Sequence, residues 1–316
     1  MNIKLSFLVM LLLSPTVLFA NSTSQSDVTV ISSYNMATYQ KAITSLLASL
    51  PSKDQKDKRL TQASAAFIGK SYLLGALGEG PDGQFDQNPL YRTDSFDCET
   101  FVDTVIALLH AKNTNDFSYQ MNNIRYSNSR PSYLSRNHFT NVDWNRNNES
   151  HGYLSDITKD IYPVVAISQT LIDKPNWYLH LGFDSIKLLQ EPANPSELLE
   201  ALHDLANKTN STVSTLRYIP LTALFDENGK PNMDIFNRIP SGVVIQIVRA
   251  NWTPDGDIGT ALDISHMGIV LRINDQLIFR EASSVKQQVI DIPLTDYLAQ
   301  YINSDTVKGI HVEQIK

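Results

Sequence analysis

The chain has 316 residues, 42% of them hydrophobic and 19% charged, with a formal net charge of −7 and one cysteine. An acidic balance argues against nucleic acid as the main partner. One cysteine allows neither an internal disulfide nor a structural zinc site, and the length suffices for a sizeable core without covalent staples.

The first residues, Met1-Asn2-Ile3-Lys4, lead into an apolar run from Leu5 to Phe19 that ends at Ala20 before the polar Asn21-Ser22-Thr23. A basic start, an apolar middle and a small-residue end predict a secretory signal peptide over residues 1–20. Ser14-Pro15 interrupts a run already short of the roughly 20 residues that a membrane span requires. No cysteine follows the signal, so no lipid anchor is expected there. The mature chain is expected to be exported, periplasmic or secreted, with no stable membrane anchor.

Residues 21–60 read as an N-terminal helical segment. Met36 to Leu50 puts Ala37, Ile43, Leu46, Leu47 and Leu50 on one face, and a Lys/Asp-rich link from Ser52 to Arg59 follows. A second helical stretch is predicted from Ala63 towards Leu74. Gly75, Gly78, Gly80, Pro81 and Gly83 then mark a loop.

That loop leads into Asp94-Ser95-Phe96-Asp97-Cys98-Glu99-Thr100, which holds the single cysteine. Phe101, Val102, Val105, Ile106 and Leu109 recur at helical spacing, so a helix is predicted to begin near Cys98, with Asp94 and Ser95 as its caps. Taken alone, a cysteine on that stripe suits a small core hydrophobe. In an exported chain the reading changes. An unpaired thiol at the positive end of a helix dipole, with a histidine nearby, is a setting for a nucleophile.

From Asn113 to about Tyr162 the sequence is rich in Asn, Ser, Tyr and Arg and shows little periodicity, including Ser135-Arg136-Asn137-His138-Phe139 and Asp143-Trp144. A folded insertion beside a cleft is predicted, extending over about 113–215 in all. Within it, Asn194-Pro195-Ser196-Glu197 opens a helix, with a cap, a proline at the first position and a glutamate three after the cap. The last third reads as β: runs near 242–249, 266–273, 277–282, 288–292 and 309–315, with a short helix over 295–301. Helices followed by an antiparallel sheet predict an α+β domain over residues 61–316.

A cysteine nucleophile needs a base, and His266 is the candidate because it opens a predicted strand after a polar loop. If Asn274-Asp275 is a two-residue turn, Ile273 pairs with Gln276, and His266, Gly268, Glu281 and Ser283 share one face. Glu281 then lies diagonally beside His266, where a third group orients an imidazole; Ser283 is the alternative support. His138 and His151 lack metal-ligand spacing. No phosphate loop, Gly-x-Ser-x-Gly elbow or dinucleotide fingerprint is present, so no metal or cofactor is expected.

Phe96-Asp97-Cys98 opening a helix, then Ser265-His266-x-Gly268 on a strand and Glu281-Ala282-Ser283-Ser284, resembles the papain-like NlpC-type cell-wall cysteine amidases and peptidases. Gly69-Lys70-Ser71-Tyr72, Phe96 to Val102, Ser135 to Phe139 and Asp263 to Gly268 are most similar to the N-acetylmuramoyl-L-alanine amidase-like branch. The resemblance spans residues 65 to 300. It implies a papain-like NlpC-type α+β fold, and hydrolysis of the amide between N-acetylmuramic acid and L-alanine in peptidoglycan fragments (muropeptides). It further implies Cys98 as nucleophile, His266 as base, the Cys98 N–H and Tyr72 as oxyanion donors, and Arg136, His138 and Trp144 in the substrate cleft, with Trp144 stacking on sugar. Relatives commonly carry histidine or a neutral polar residue where Glu281 stands. A muropeptide-binding protein that keeps the fold without catalysis is one alternative. A stem-peptide endopeptidase is another; it would need an acidic pocket for a peptide amine, for which Asp94, Asp97 and Glu99 are the candidates.

Overall fold

The computed structural model describes residues 25–254 and 257–316, with side chains from residue 35 onward. The signal-peptide expectation over residues 1–20 therefore lies outside the described residues. Among these, no helix is long and apolar enough to cross a membrane.

Four helices precede, include or follow the cysteine segment: α1 (Gln25–Ser49), α2 (Lys56–Ala65), α3 (Cys98–His110) and α4 (Thr114–Arg125). The strands are β1 (Ser71–Tyr72), β2 (Ser95–Phe96), β3 (Leu154–Asp156), β4 (Ala166–Ile172) and β5 (Thr212–Pro220), then β6 (Val243–Trp252), β7 (Leu262–Ile273), β8 (Gln276–Ser283), β9 (Gln288–Pro293) and β10 (Gly309–Ile315). Among the described residues they form one sheet in the order β2-β1-β9-β8-β7-β6-β10-β5-β4, with β3 on β10. The fold is mixed α+β.

The pleat divides the core. Val244, Met267, Ile269, Leu271, Ala282 and Val289 face the helices, against Phe101, Val102, Val105 and Ile106 of α3. Their neighbours Val243, Ile245, Ile247, Val270 and Phe279 face the other way, onto Leu294, Tyr297 and Leu298 of the Leu294–Ala299 helix. Side chains alternate across a strand, so one sheet serves two cores.

Two expectations about the first helices need correction. The link from Ser52 to Arg59 is partly helical, because α2 starts at Lys56 and ends at Ala65, and Ser71–Tyr72 is a strand. Arg59 is buried: its Nη2 donates to the carbonyls of Leu108 at 2.8 Å and Ala111 at 2.9 Å. The charge thus closes the C-terminus of α3, where a cation complements the dipole.

The Asn-rich stretch, expected as a folded insertion, is largely helical. It folds as α4 and short helical turns, and its polar side chains point inward. Asn137 Nδ2 donates to the Ile124 carbonyl at 2.9 Å, Asn147 to Asn123 at 2.7 Å and Asn148 to Trp144 at 2.9 Å. Asn145 and Gln246 exchange two amide bonds at 3.0 and 2.7 Å, tying this segment to β6. Buried amides are tolerated where they are hydrogen-bonded, so the segment builds a polar core that apolar periodicity does not reveal.

Candidate active site

The cysteine segment starts with its cap. Asp97, not Asp94 or Ser95, is the N-cap of α3. Its Oδ1 accepts the Thr100 N–H at 2.8 Å while Thr100 Oγ1 accepts the Asp97 N–H at 3.0 Å, a reciprocal capping box. The other carboxylate oxygen accepts the Gly75 N–H at 3.0 Å. One aspartate therefore fixes the start of α3 and anchors the Tyr72–Gly75 segment to it. Cys98 is the first residue of α3 and half-buried. The first N–H groups of a helix have no intrahelical acceptor, so the Cys98 N–H faces outward at the positive end of the dipole.

β1 runs parallel to β2, pairing Tyr72 with Phe96. This brings the Tyr72 hydroxyl near the thiol. Burial, followed by the charges of Cys98 and Asp97, pushes Tyr72 up to about 12, so its hydroxyl stays protonated as a donor.

His266 comes from β7, which begins at Leu262 rather than at the histidine itself. The Asn274-Asp275 turn has φ of 50° and 64°, as a two-residue hairpin turn of type I′ requires. Ile273 pairs with Gln276, so the hairpin register is the expected one. On the other edge, His266 pairs with Ile247 and Ile264 with Val248, which leaves Ser265 as an extra residue. Such a bulge turns the strand locally and re-aims a side chain. Gly268 leaves room for Phe279 rather than for the Glu281 carboxylate: a Cβ there would lie 2.7 Å from two carbons of the Phe279 ring. That ring and Tyr297 both lie 6.1 Å from the imidazole.

Cys98 lies close enough to His266 for its charge to act on the imidazole. Its Nε2 meets Oε2 of Glu281 in an ion pair; their side chains are 16% and 6% exposed. The Nε2–H is not aligned on that oxygen, so the contact is charge against charge rather than a well-formed hydrogen bond. Burial alone would lower the imidazole. The charge of Cys98, then that of Glu281, outweighs it and pushes His266 up to about 10. The arrangement can hold a protonated imidazole against a thiol at neutral pH.

A cavity of about 280 Å³ runs along this pair, lined by Arg249, Trp252, His266, Glu281, Ser283 and Tyr297, among others. Cys98 and Tyr72 are not part of its wall; His266 is the group common to the thiol and the cavity. Ser283 sits in that wall and its hydroxyl accepts the Lys286 N–H at 3.3 Å.

The structure thus brings Cys98, His266, Glu281 and Tyr72 together and sets Ser283 beside them. The three insertion residues are engaged elsewhere. Trp144 is fully buried and its Nε1 donates to Asp103 Oδ1 at 2.7 Å, so no ring face is free to stack on a sugar. Arg136 joins Glu79 and Asp86, with Nε 2.7 Å from Glu79 Oε1 and Nη2 3.0 Å from Asp86 Oδ2, and so ties the glycine-rich loop to the insertion. His138 is held at the Tyr133 carbonyl at 2.7 Å, with its ring 4.7 Å from that of Trp177. Burial, then the charge of Arg136, pushes it well below the usual imidazole value, so it stays neutral.

Two of the acids near Cys98 are also spoken for. Asp94 forms a bidentate pair with Arg92 at 2.7 and 2.9 Å, and Asp97 is spent on the cap and on Gly75. Burial, then the charges of Asp103 and Asp97, pushes Glu99 well above the ordinary carboxyl value. Asp94 and Asp97 therefore offer no free carboxylate to a peptide amine.

Trp252, Arg249 and Tyr297 went unrecognised in the sequence. Each sits far along the chain from Cys98, and only the sheet order brings them to one wall. The single local signal was Trp252, which ends a strand before a Pro/Gly/Asp-rich loop.

A family model described as N-acetylmuramoyl-L-alanine amidase-like matches residues 62–304. A crystal structure of a Legionella pneumophila protein, described by the family model DUF1460, is 41% identical, covers 90% of this chain and 96% of its own, and superposes with a TM-score of 0.85. An N-acetylmuramoyl-L-alanine amidase from Bacteroides uniformis shares the fold at 22% identity, over 83% of this chain and 99% of its own, with a TM-score of 0.57. No curated protein matches the sequence.

Proposed function

This chain belongs to the N-acetylmuramoyl-L-alanine amidase-like family, and on that premise we propose that it is an exported cysteine amidase cleaving the muramoyl–L-alanine amide of muropeptides. Membership in the family makes a peptidoglycan-derived substrate the expected one. The observation that carries the finer reading is the joint engagement of His266 by Cys98 on one side and Glu281 on the other. A nucleophile at a helix start followed by a histidine on a sheet strand also supports reading the fold as papain-like, of NlpC type.

In this mechanism the Cys98 thiolate attacks the amide carbonyl carbon. The oxyanion is held by the Cys98 N–H and the Tyr72 hydroxyl, donors aimed where charge develops. The His266 imidazolium protonates the alanine nitrogen as the C–N bond breaks, leaving a muramoyl thioester. Water gives a proton to the now neutral His266 and attacks the thioester carbonyl. The acid departs, and the thiolate–imidazolium pair is restored. Glu281 orients the imidazole and supports its charge throughout.

The partners of Asp94 and Asp97 favour this bond over a stem-peptide bond, because two of the three candidate acids are already taken. Mass spectrometry of a defined muramoyl-tripeptide should show a peptide with a new N-terminal L-alanine, and Cys98→Ala should release none. Efficient cleavage of the sugar-free peptide between its second and third residues would instead make the protein an endopeptidase. Retained turnover in Cys98→Ala would rule out the cysteine mechanism.

A further inference from the structure

Arg249 lies near the end of β6 and lines the cavity that His266 and Glu281 wall. Its guanidinium carbon sits 4.8 Å over the Trp252 ring, and Nη1 donates to Thr306 Oγ1 at 3.0 Å. Two contacts therefore hold the side chain in one place. Its Nε is buried and has no hydrogen-bond partner.

No carboxylate among the described residues pairs with it, whereas Arg92, Arg125, Arg136, Arg217 and Arg280 each meet one. The acid in the same wall, Glu281, is taken by His266. Exposed Lys286 stands on the same cavity and forms no ion pair either. A rigid guanidinium with a desolvated, unfilled donor is costly unless an anion completes it. The cavity thus carries two uncommitted positive charges beside the reacting pair.

The chemistry of the proposed substrate says where that anion comes from. The one carboxyl of a muramoyl unit is consumed in the amide that is cut. A free carboxylate can then belong only to the peptide. We propose that Arg249, stacked on Trp252 and backed by Lys286, is a specificity-determining residue that binds a free carboxylate of the substrate's peptide. This rests on the amidase reading above. It also sets the direction of binding, with peptide along the cavity and sugar on the Cys98 side of His266.

The test uses matched substrates. One pair is a muramoyl-dipeptide whose second residue is D-glutamate or its α-amide; the other is a muramoyl-tripeptide with the third residue's carboxylate free or amidated. For at least one pair, amidation should lower wild-type kcat/KM about 10- to 100-fold, mostly through KM, as expected for losing a charge-assisted hydrogen bond. Arg249→Gln should cause the same loss on the free acid and little further loss on the amide, and Arg249→Lys should retain part of the preference. Alkylation of Cys98 by iodoacetamide should not change, which separates this role from a structural one. The proposal is overturned if the wild type treats both members of both pairs alike, or if Arg249→Gln lowers acid and amide equally. Calorimetry of the same ligands with Cys98→Ala protein, with and without Arg249→Gln, keeps the two readings apart. Arg249-dependent binding without wild-type turnover would sink the amidase and leave this subsite, and binding that ignores Arg249 would sink the subsite.

Discussion

Among the described residues there are two histidine–glutamate pairs, and they differ in what is left over. At the cavity, His266 on β7 meets Glu281 on β8, and the imidazole also engages a thiol. In the interior, His311 and Glu313 sit two residues apart on β10, with Nε2 2.8 Å from Glu313 Oε1. There Nδ1 is spent as well, on the Arg217 carbonyl at 2.8 Å and the Thr158 hydroxyl at 3.0 Å. Both imidazoles are raised above their ordinary value: burial opposes the charge in each, and a glutamate restores it. At His266 the thiol acts in the same direction as the glutamate. At His311 every partner is structural. The side chains of His311 and Glu313 are 4% and 0% exposed, and neither lines the cavity. A raised imidazole beside a carboxylate is therefore not a site by itself; a reactive neighbour and an open wall make it one.

The sharpest way to break this comparison is to remove each imidazole. His266→Ala should lower kcat by about 10²- to 10⁴-fold, the usual contribution of a general acid–base. His311→Ala should leave kcat per folded molecule unchanged and act on stability alone. Removing one partner of a buried pair costs about 3–5 kcal/mol, so Tm should fall while kcat per folded molecule stays near wild type. Equal effects of the two variants on kcat would erase the distinction. The His311 contribution also has a pH signature. It is fully present below the ordinary imidazole value of about 6.5 and is lost as pH rises through the raised folded value. Melting curves of wild type and His311→Ala should therefore converge at alkaline pH.

Next in size is Glu281→Gln, expected to cost about 10- to 100-fold in kcat/KM because it keeps a polar group but loses the charge. The alkaline limb of the pH profile should report His266 near 10 in the wild type and move to lower pH in the variant, since one raising influence is gone. An unmoved limb would give the supporting role to Ser283 instead.

The smallest effect is expected away from both pairs. Trp144→Phe removes a hydrogen bond to buried Asp103, which burial pushes up to about 7 against the lowering influence of Arg125 and Trp144 itself. Stability should drop by about 1–3 kcal/mol, with KM for muropeptides unchanged. A raised KM would return Trp144 to the substrate.

What the sequence disclosed follows the same division. The start of α3, the Asn274-Asp275 turn and the facing of His266 towards Glu281 were legible, because each depends on local spacing and turn chemistry. The cap was misplaced by two or three residues, as Asp94, Ser95 and Asp97 are all competent and only the Thr100 and Gly75 contacts choose among them. The Asn-rich stretch misled because its asparagines are buried on backbone carbonyls, a pattern with no apolar period. Arg136, His138 and Trp144 carry the right chemistry for a cleft, but tertiary partners claim them. Arg249 and Trp252 looked ordinary on a β strand and acquire meaning only beside His266.

The coupling of Cys98 to His266 is the centre of the account, and NMR titration of the histidine ring protons tests it most directly. In the wild type His266 should titrate near 10; in Cys98→Ala its value should fall, because a raising partner is gone, while His311 keeps its own midpoint. A His266 that titrates near the ordinary value of about 6.5, or that ignores the loss of Cys98, would contradict it.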